Sequence, residues 1–349
     1  MGRRAAERCE MRTGQAKWWK VQAAGMAVVA GLCLSASARE AEIRDVTAKQ
    51  RYPWNGLVDI RCTVSGIEEG VAWALAAEAV DPDSGEVHEL SHVWVVRDGT
   101  NTADRVLHAD GEYELLWDAR ADLGEGVWSN AVVQVSFEPH PLVRLWEGGP
   151  YWADRNIGAE EPWEFGYHFW WGDPVGYKWE GEQWVASDGS VSGFSFSDAP
   201  NWNMGISALL RDGWITEDHV LAPAHDAAQV QWGRGWRMPT EGEMSELCDT
   251  NKCERTWMTT NGIKGFLLRG RGDYAAARIF LPAGGWGDRK TWGDKKWGHF
   301  WSSSPSEEQT TRSWRLNFQS SQIYMQIHYD RHIGSSIRPV RSATEPPMP

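Results

Sequence analysis

The chain carries 24 tryptophans, and seventeen of them lie between residues 142 and 341, a stretch also dense in glycine. Rings at this density constrain the fold more than any other feature. Large flat side chains suit a fold of few long elements, in which they pin irregular loops to a small core. Their other use is a stacking surface for sugar rings or aromatic ligands. The first use is expected to account for most of them.

The chain changes character near residue 140. Residues 43–138 read as short strands with turns between them. Leu57-Val58-Asp59-Ile60-Arg61-Cys62-Thr63-Val64 places Val58, Ile60, Cys62 and Val64 on one face. A period of two means one buried and one wet face. Further strands are expected over residues 71–80, 92–96, 111–117 and 131–137. Asp81-Pro82-Asp83-Ser84-Gly85 has turn chemistry, which accounts for Asp81 and Asp83 better than calcium ligation does. Evenly spaced short strands suggest an all-β sandwich of immunoglobulin-like type over residues 39–140, with Trp73 and Trp117 as core fillers.

Ahead of this, Arg3, Arg4, Arg12, Lys17 and Lys20 precede an apolar stretch over residues 21–34 that ends at Ser35-Ala36-Ser37-Ala38. Basic, apolar, then small is the order of a secretory signal, expected to be cleaved after Ala38. The apolar run is too short to span a bilayer, and no later stretch is long enough. The protein is therefore expected to be exported, whether periplasmic, cell-surface or secreted. The whole chain has a net charge of −13, and loss of a net-basic leader makes the remainder more acidic. An acidic surface repels nucleic acid and anionic membranes, so neither is expected as a partner. Residues 342–349, polar and proline-rich, read as a disordered tail.

Cys62, Cys248 and Cys253 remain after the signal. Cys62 lies in an alternating strand and reads as an apolar filler. Cys248 and Cys253, in Cys-Asp-Thr-Asn-Lys-Cys, are close enough in sequence for a disulfide in an oxidising compartment; the alternative is two free thiols at a helix end. No cysteine–histidine cluster has the spacing of a metal site, so no metal and no cofactor is expected.

Residues 141–341 read as α+β with long loops. Thr240 and Glu243 form a capping box that starts a helix with Met244 and Leu247 facing inward. Residues 226–230 suggest a second short helix with Ala227, Ala228 and Val230 on its packed side. Strands are expected over 266–268, 278–281, 313–318, 322–329 and 337–340, with Gln319-Ser320-Ser321 as a hairpin turn.

A set of blocks runs in order through this half. Tyr151-Trp152-Ala153-Asp154-Arg155-Asn156-Ile157-Gly158 opens it, then Phe169-Trp170-Trp171-Gly172-Asp173. Trp236-Arg237-Met238-Pro239-Thr240 and Ile279-Phe280-Leu281-Pro282-Ala283-Gly284-Gly285 follow. Phe300-Trp301-Ser302 and Gly334-Ser335-Ser336-Ile337-Arg338-Pro339-Val340-Arg341 close it. This order resembles the Fibrobacter succinogenes major paralogous domain. The resemblance implies a C-type-lectin-like fold, distantly related to the formylglycine-generating, sulfatase-modifying enzymes. Arg51-Tyr52-Pro53-Trp54-Asn55-Gly56 is similar to a leader module that precedes such domains in exported bacterial proteins.

The enzymes of that relationship hold copper with a late cysteine pair, and residues 254–349 contain no cysteine. A thiolate pair is the soft ligand copper requires. No catalytic residues are therefore assigned. His299, His328 and His332 near Asp330 suit loop or strand-surface positions better than catalysis, and the Glu-Pro-Asn and Gln-Pro-Asp signatures of calcium-dependent lectins are missing. The most suggestive segment is a near-repeat, Trp286-Gly287-Asp288-Arg289-Lys290 and Trp292-Gly293-Asp294-Lys295-Lys296-Trp297. Glycines free the backbone so that rings can face solvent, while Asp and Lys between them can bond hydroxyls. Trp286, Asp288, Trp292, Asp294 and Trp297 are the candidate ligand contacts, with Tyr324, Tyr329 and His332 as a neighbouring rim. The expected function is an exported, non-catalytic binding or adhesion module for glycan or protein. The alternatives are a structural or display protein without a small-molecule ligand, and a formylglycine-generating-enzyme-like oxidase.

Overall fold

The computed structural model describes residues 22–23, 41–52, 55–102, 105–124, 131–189, 199–288, 291–326 and 330–342. The expected tail past Ser342 and nearly all of the expected signal lie outside them. The chain is mostly β, in several small antiparallel sheets with short helices.

In the first half, two sheets share one core. One runs in the order Glu42–Gln50, Leu57–Ser65, Gly111–Asp118, Val93–Arg97, Thr100–Thr102. The other places Trp73–Val80 between Val132–Phe137 and Val87–Glu89; Val106–Leu107 also pairs with Trp73–Val80, and Gln22–Ala23 lies parallel along Val132–Phe137. Alternation in Leu57–Ser65 buries Val58, Ile60, Cys62 and Val64 against Leu75, Ala77, Ala79, Val133 and Val135. Trp117 fills this core and donates its Nε1–H to Asp122 Oδ2 at 2.9 Å. Trp73 does not join it: it is half-buried and packs on Phe137, ring centroids 5.2 Å apart. The Asp81 carboxylate accepts from the Asp83 N–H at 2.9 Å and the Ser84 hydroxyl at 3.0 Å, a turn satisfied by its own residues.

The second half opens and closes on paired strands. Leu142–Arg144, Tyr151–Ala153, Val340–Arg341 and Trp236–Arg237 form one sheet. Two three-stranded sheets follow: Cys253–Thr260, Ile263–Gly270 and Arg278–Pro282, then Gly298–Pro305, Ser313–Gln319 and Gln322–Gln326. Helix Glu241–Leu247 begins on the expected capping box, with Met244 and Leu247 buried. Helix Ala227–Trp232 is capped by Asp226, which accepts from Ala228 and Gln229 and reaches on to the Met238 N–H.

Two local expectations are corrected, and of the two readings open for Cys248 and Cys253 the structure has the free thiols. Val230 is 52% exposed, although it lies one turn on from the buried Ala227. The closing strand is only Val340–Arg341, since Pro339 has no N–H to give a ladder. Cys248 and Cys253 are free thiols. Cys248 ends the helix with Sγ towards the Met244 carbonyl, Cys253 sits in the core, and burial pushes both thiols up, to about 11 and about 12.

Rings and guanidinium groups hold this half together. Trp152, Trp171, Trp184, Trp236 and Trp301 are fully buried, as are Arg331 and Arg338. Arg338 donates Nε–H to Asn156 Oδ1 at 2.8 Å, Nη1 to the Ala153 and Asp154 carbonyls at 3.1 and 2.8 Å, and Nη2 to the Phe280 carbonyl at 2.8 Å. Burial pushes its pKa down to about 9, which leaves it charged at neutral pH. One fork thus ties the opening segment to a strand from the middle of the half. Arg331 does the same for the Arg312, Asn201 and Met204 carbonyls and lies 4.8 Å from the Trp171 ring centroid.

The halves meet along a shared apolar seam of Ala72, Ala74, Val106, Leu142, Tyr151, Ala153 and Trp236. Ala72 and Leu142 exchange two backbone bonds of 2.8 Å. His140 stacks on Trp232 at 3.6 Å, and Arg341 pairs with the buried Glu138 at 2.7 Å.

Candidate functional site

The near-repeat folds as a small hairpin, Gly287–Asp288 with Thr291–Trp292, docked by Gly287 onto Gly334 through backbone bonds of 2.8 and 2.7 Å. Arg289 and Lys290 lie outside the described residues. Trp286, Trp292 and Trp297 are each half-buried.

Trp286 and Trp297 share a neighbour in His299, and Trp292 has its own set. Trp286 lies across Gly293, where an added Cβ would come within 2.3 Å of the indole, so the ring requires glycine there. Its edge meets the buried His299, centroids 5.5 Å apart. Trp297 stacks parallel to His299 at 6.2 Å. Trp292 touches Phe165 and His168 edge-on and the buried Trp184 at a tilt, and its Nε1–H bonds the Gly284 carbonyl at 2.5 Å. The Lys295 ammonium sits 3.6 Å from the Trp292 centroid, a cation over an aromatic face.

Two buried histidines support these rings, and both are held neutral. Burial pushes His168 down to about 4. Burial, and then the Arg315 guanidinium, hold His299 well below its ordinary value, while its Nδ1 meets Asn317 Oδ1 at 2.5 Å. His168 was invisible to sequence reasoning because nothing in its local spacing separates it from a core histidine.

The polar residues of the repeat differ in exposure and in what they bond. Asp294 is exposed but its carboxylate already accepts from the Lys296 N–H at 3.0 Å, shaping the turn. Asp288 is half-exposed, and its carbonyl accepts from the Thr291 hydroxyl at 2.9 Å. Tyr324 lies opposite Asn317, which lies opposite His299, so it shares their sheet face. His332 is half-buried two residues before Gly334, the anchor of the hairpin. Tyr329 and His328 lie outside the described residues. Asp330 bonds the Thr311 hydroxyl at 2.9 Å and faces Arg312, not His299. Ser302 and Ser303 bond the Trp314 and Pro239 carbonyls, which makes them structural.

The chain matches no family model, no curated protein and no solved structure. Among the described residues, no helix is long and apolar enough to cross a membrane, and no group of three or more His, Cys, Asp or Glu side chains is placed to hold a metal ion. The geometry therefore has to carry the functional reading. Half-buried indole rings, one of them under an ammonium, are suited to stacking and hydrogen bonding.

Proposed function

We propose that the chain is an exported, non-catalytic binding module that recognises glycan or protein through the shelf formed by Trp286, Trp292 and Trp297. In this reading the first half is an immunoglobulin-like sandwich that acts as a spacer. The second half is a C-type-lectin-like domain of the major paralogous type. The pairing of its opening and closing strands, Tyr151–Ala153 with Val340–Arg341, is in keeping with that scaffold.

One observation carries the functional part. All three rings of a single glycine-rich loop are half exposed and braced from behind; other indoles of the second half, Trp202 among them, are also exposed but do not cluster in one such segment. A braced ring loses little entropy on binding, which favours recognition over packing alone. The oxidase alternative finds no support in the thiols. Residues 254–349 have no cysteine, and Cys62, Cys248 and Cys253 are neutral thiols raised by burial. The display alternative draws on the same ring contacts, since they anchor the loop as well as present it.

Glycan-array binding of the protein, with Trp286→Ala and Trp292→Ala alongside, separates these readings. The proposal expects binding by the parent and its loss in both variants, with near-ultraviolet circular dichroism confirming that each remains folded. Equal binding by all three proteins removes the loop; binding by none favours display.

A further inference from the structure

A second site lies where the two halves meet, away from the tryptophan shelf. Val71 and His108 from the first half and Arg144, Tyr151, Asp273 and Tyr274 from the second line a cavity of about 250 Å³. Gly70 and Ala277 also line it, one from each half. Gly70 has φ +83°, and a Cβ there would come within 2.4 Å of the Ala277 nitrogen, so only glycine allows the contact.

Arg144 is the cation that lines this cavity. Its guanidinium carbon lies 4.2 Å from the Tyr151 ring centroid, fixed by direct pairing of the two residues across adjacent strands. Its Nε is buried with no hydrogen-bond partner, and no carboxylate among the described residues pairs with it. Arg338 spends its donors on carbonyls and Asn156, and Arg341 pairs with Glu138, whereas Arg144 is half-buried and lines the cavity. The Tyr151 hydroxyl meets His108 Nε2 at 3.3 Å across the junction, adding a polar group from each half. Asp273 is exposed at the rim.

We propose that this cleft binds a small carboxylate that also carries hydrogen-bond donors, a sugar acid or an amino acid. Arg144 takes the carboxylate through its planar fork, the geometry for which guanidinium is suited. Asp273, a pure acceptor at neutral pH, takes the ligand's hydroxyl or ammonium donors. The volume is below the usual range for drug-sized ligands, so a single ring or a single amino acid fits and a polymer segment does not. In a chain of net charge −13, an unpaired arginine in a cleft also concentrates anions locally.

Isothermal titration of the full chain with glucuronate, glycine, glucose and inorganic phosphate tests this, with Arg144→Lys and Asp273→Asn in parallel. Binding of glucuronate or of glycine, but not glucose, is expected, and which one binds names the source of the carboxylate. Arg144→Lys keeps the charge and stem but loses the fork, and is expected to weaken binding about tenfold or more. The exposed Asp273→Asn is expected to weaken it less without affecting folding. Phosphate binding as tightly as the carboxylates, affinity unchanged in Arg144→Lys, or no binding of either carboxylate at millimolar concentration would each overturn the assignment.

Discussion

The two halves of this chain solve the same problem with different materials. The first half buries small aliphatic side chains between two sheets, and its order comes from ladders and alternation. The second divides its strands among five smaller sheets, and its order also comes from indole rings and from guanidinium groups that bond carbonyls far apart in sequence. A buried cation without a carboxylate is costly unless every donor is used. Arg338 uses four of its five N–H donors, so the second half is expected to depend on single polar residues in a way the first does not.

The largest expected effect follows from this contrast. Arg338→Met keeps the volume but leaves the Ala153, Asp154 and Phe280 carbonyls unbonded, and should cost about 3–6 kcal/mol in urea unfolding. A cost below that of an ordinary core truncation would break the comparison. Acidification comes next. His140 and His168 are pushed down to about 4 and His299 well below its ordinary value, all by burial. An unfolded histidine titrates near 6.5, so their contribution is fully present above that pH and is lost as pH falls towards 4. For His168 alone the loss between pH 6.5 and 5 should be on the order of 1–2 kcal/mol, read as a falling Tm. A Tm that is flat across this window would contradict the burial of these rings.

Ile60→Val, in the first half, should cost about 1 kcal/mol, since a lost methylene in an aliphatic core is only partly absorbed. Val230→Gln should change stability by less than about 0.5 kcal/mol, because the side chain faces solvent. A larger loss there would restore the inward position that its helix spacing suggested.

The contrast also explains what was legible in the sequence. Leu57–Ser65 and Gly111–Asp118 were readable because alternation reports burial directly. Glu42–Gln50 was not, because a bulge between Arg44 and Thr47, with Asp45 at φ 52°, breaks its period. Thr240 and Glu243 announced their helix through a local bond pattern. Cys253–Thr260, mostly exposed, offered no apolar period at all. The candidate site was half legible. Composition pointed to the loop of Trp286, Trp292 and Trp297, but the histidines that brace it come from positions 168 and 299, and only the folded chain brings them together. Arg144 carried no signal, since a lone arginine in a strand reads as a solvated charge.

The central claim is that the second half buries five tryptophans completely while leaving the three rings of one loop half-buried. Hydroxyl-radical footprinting with mass spectrometry measures this ring by ring. The account predicts intermediate modification of Trp286, Trp292 and Trp297, with Trp152, Trp171, Trp184, Trp236 and Trp301 protected until the protein unfolds. Equal protection of all eight, or modification of the buried five at the rate of the loop rings, would contradict it.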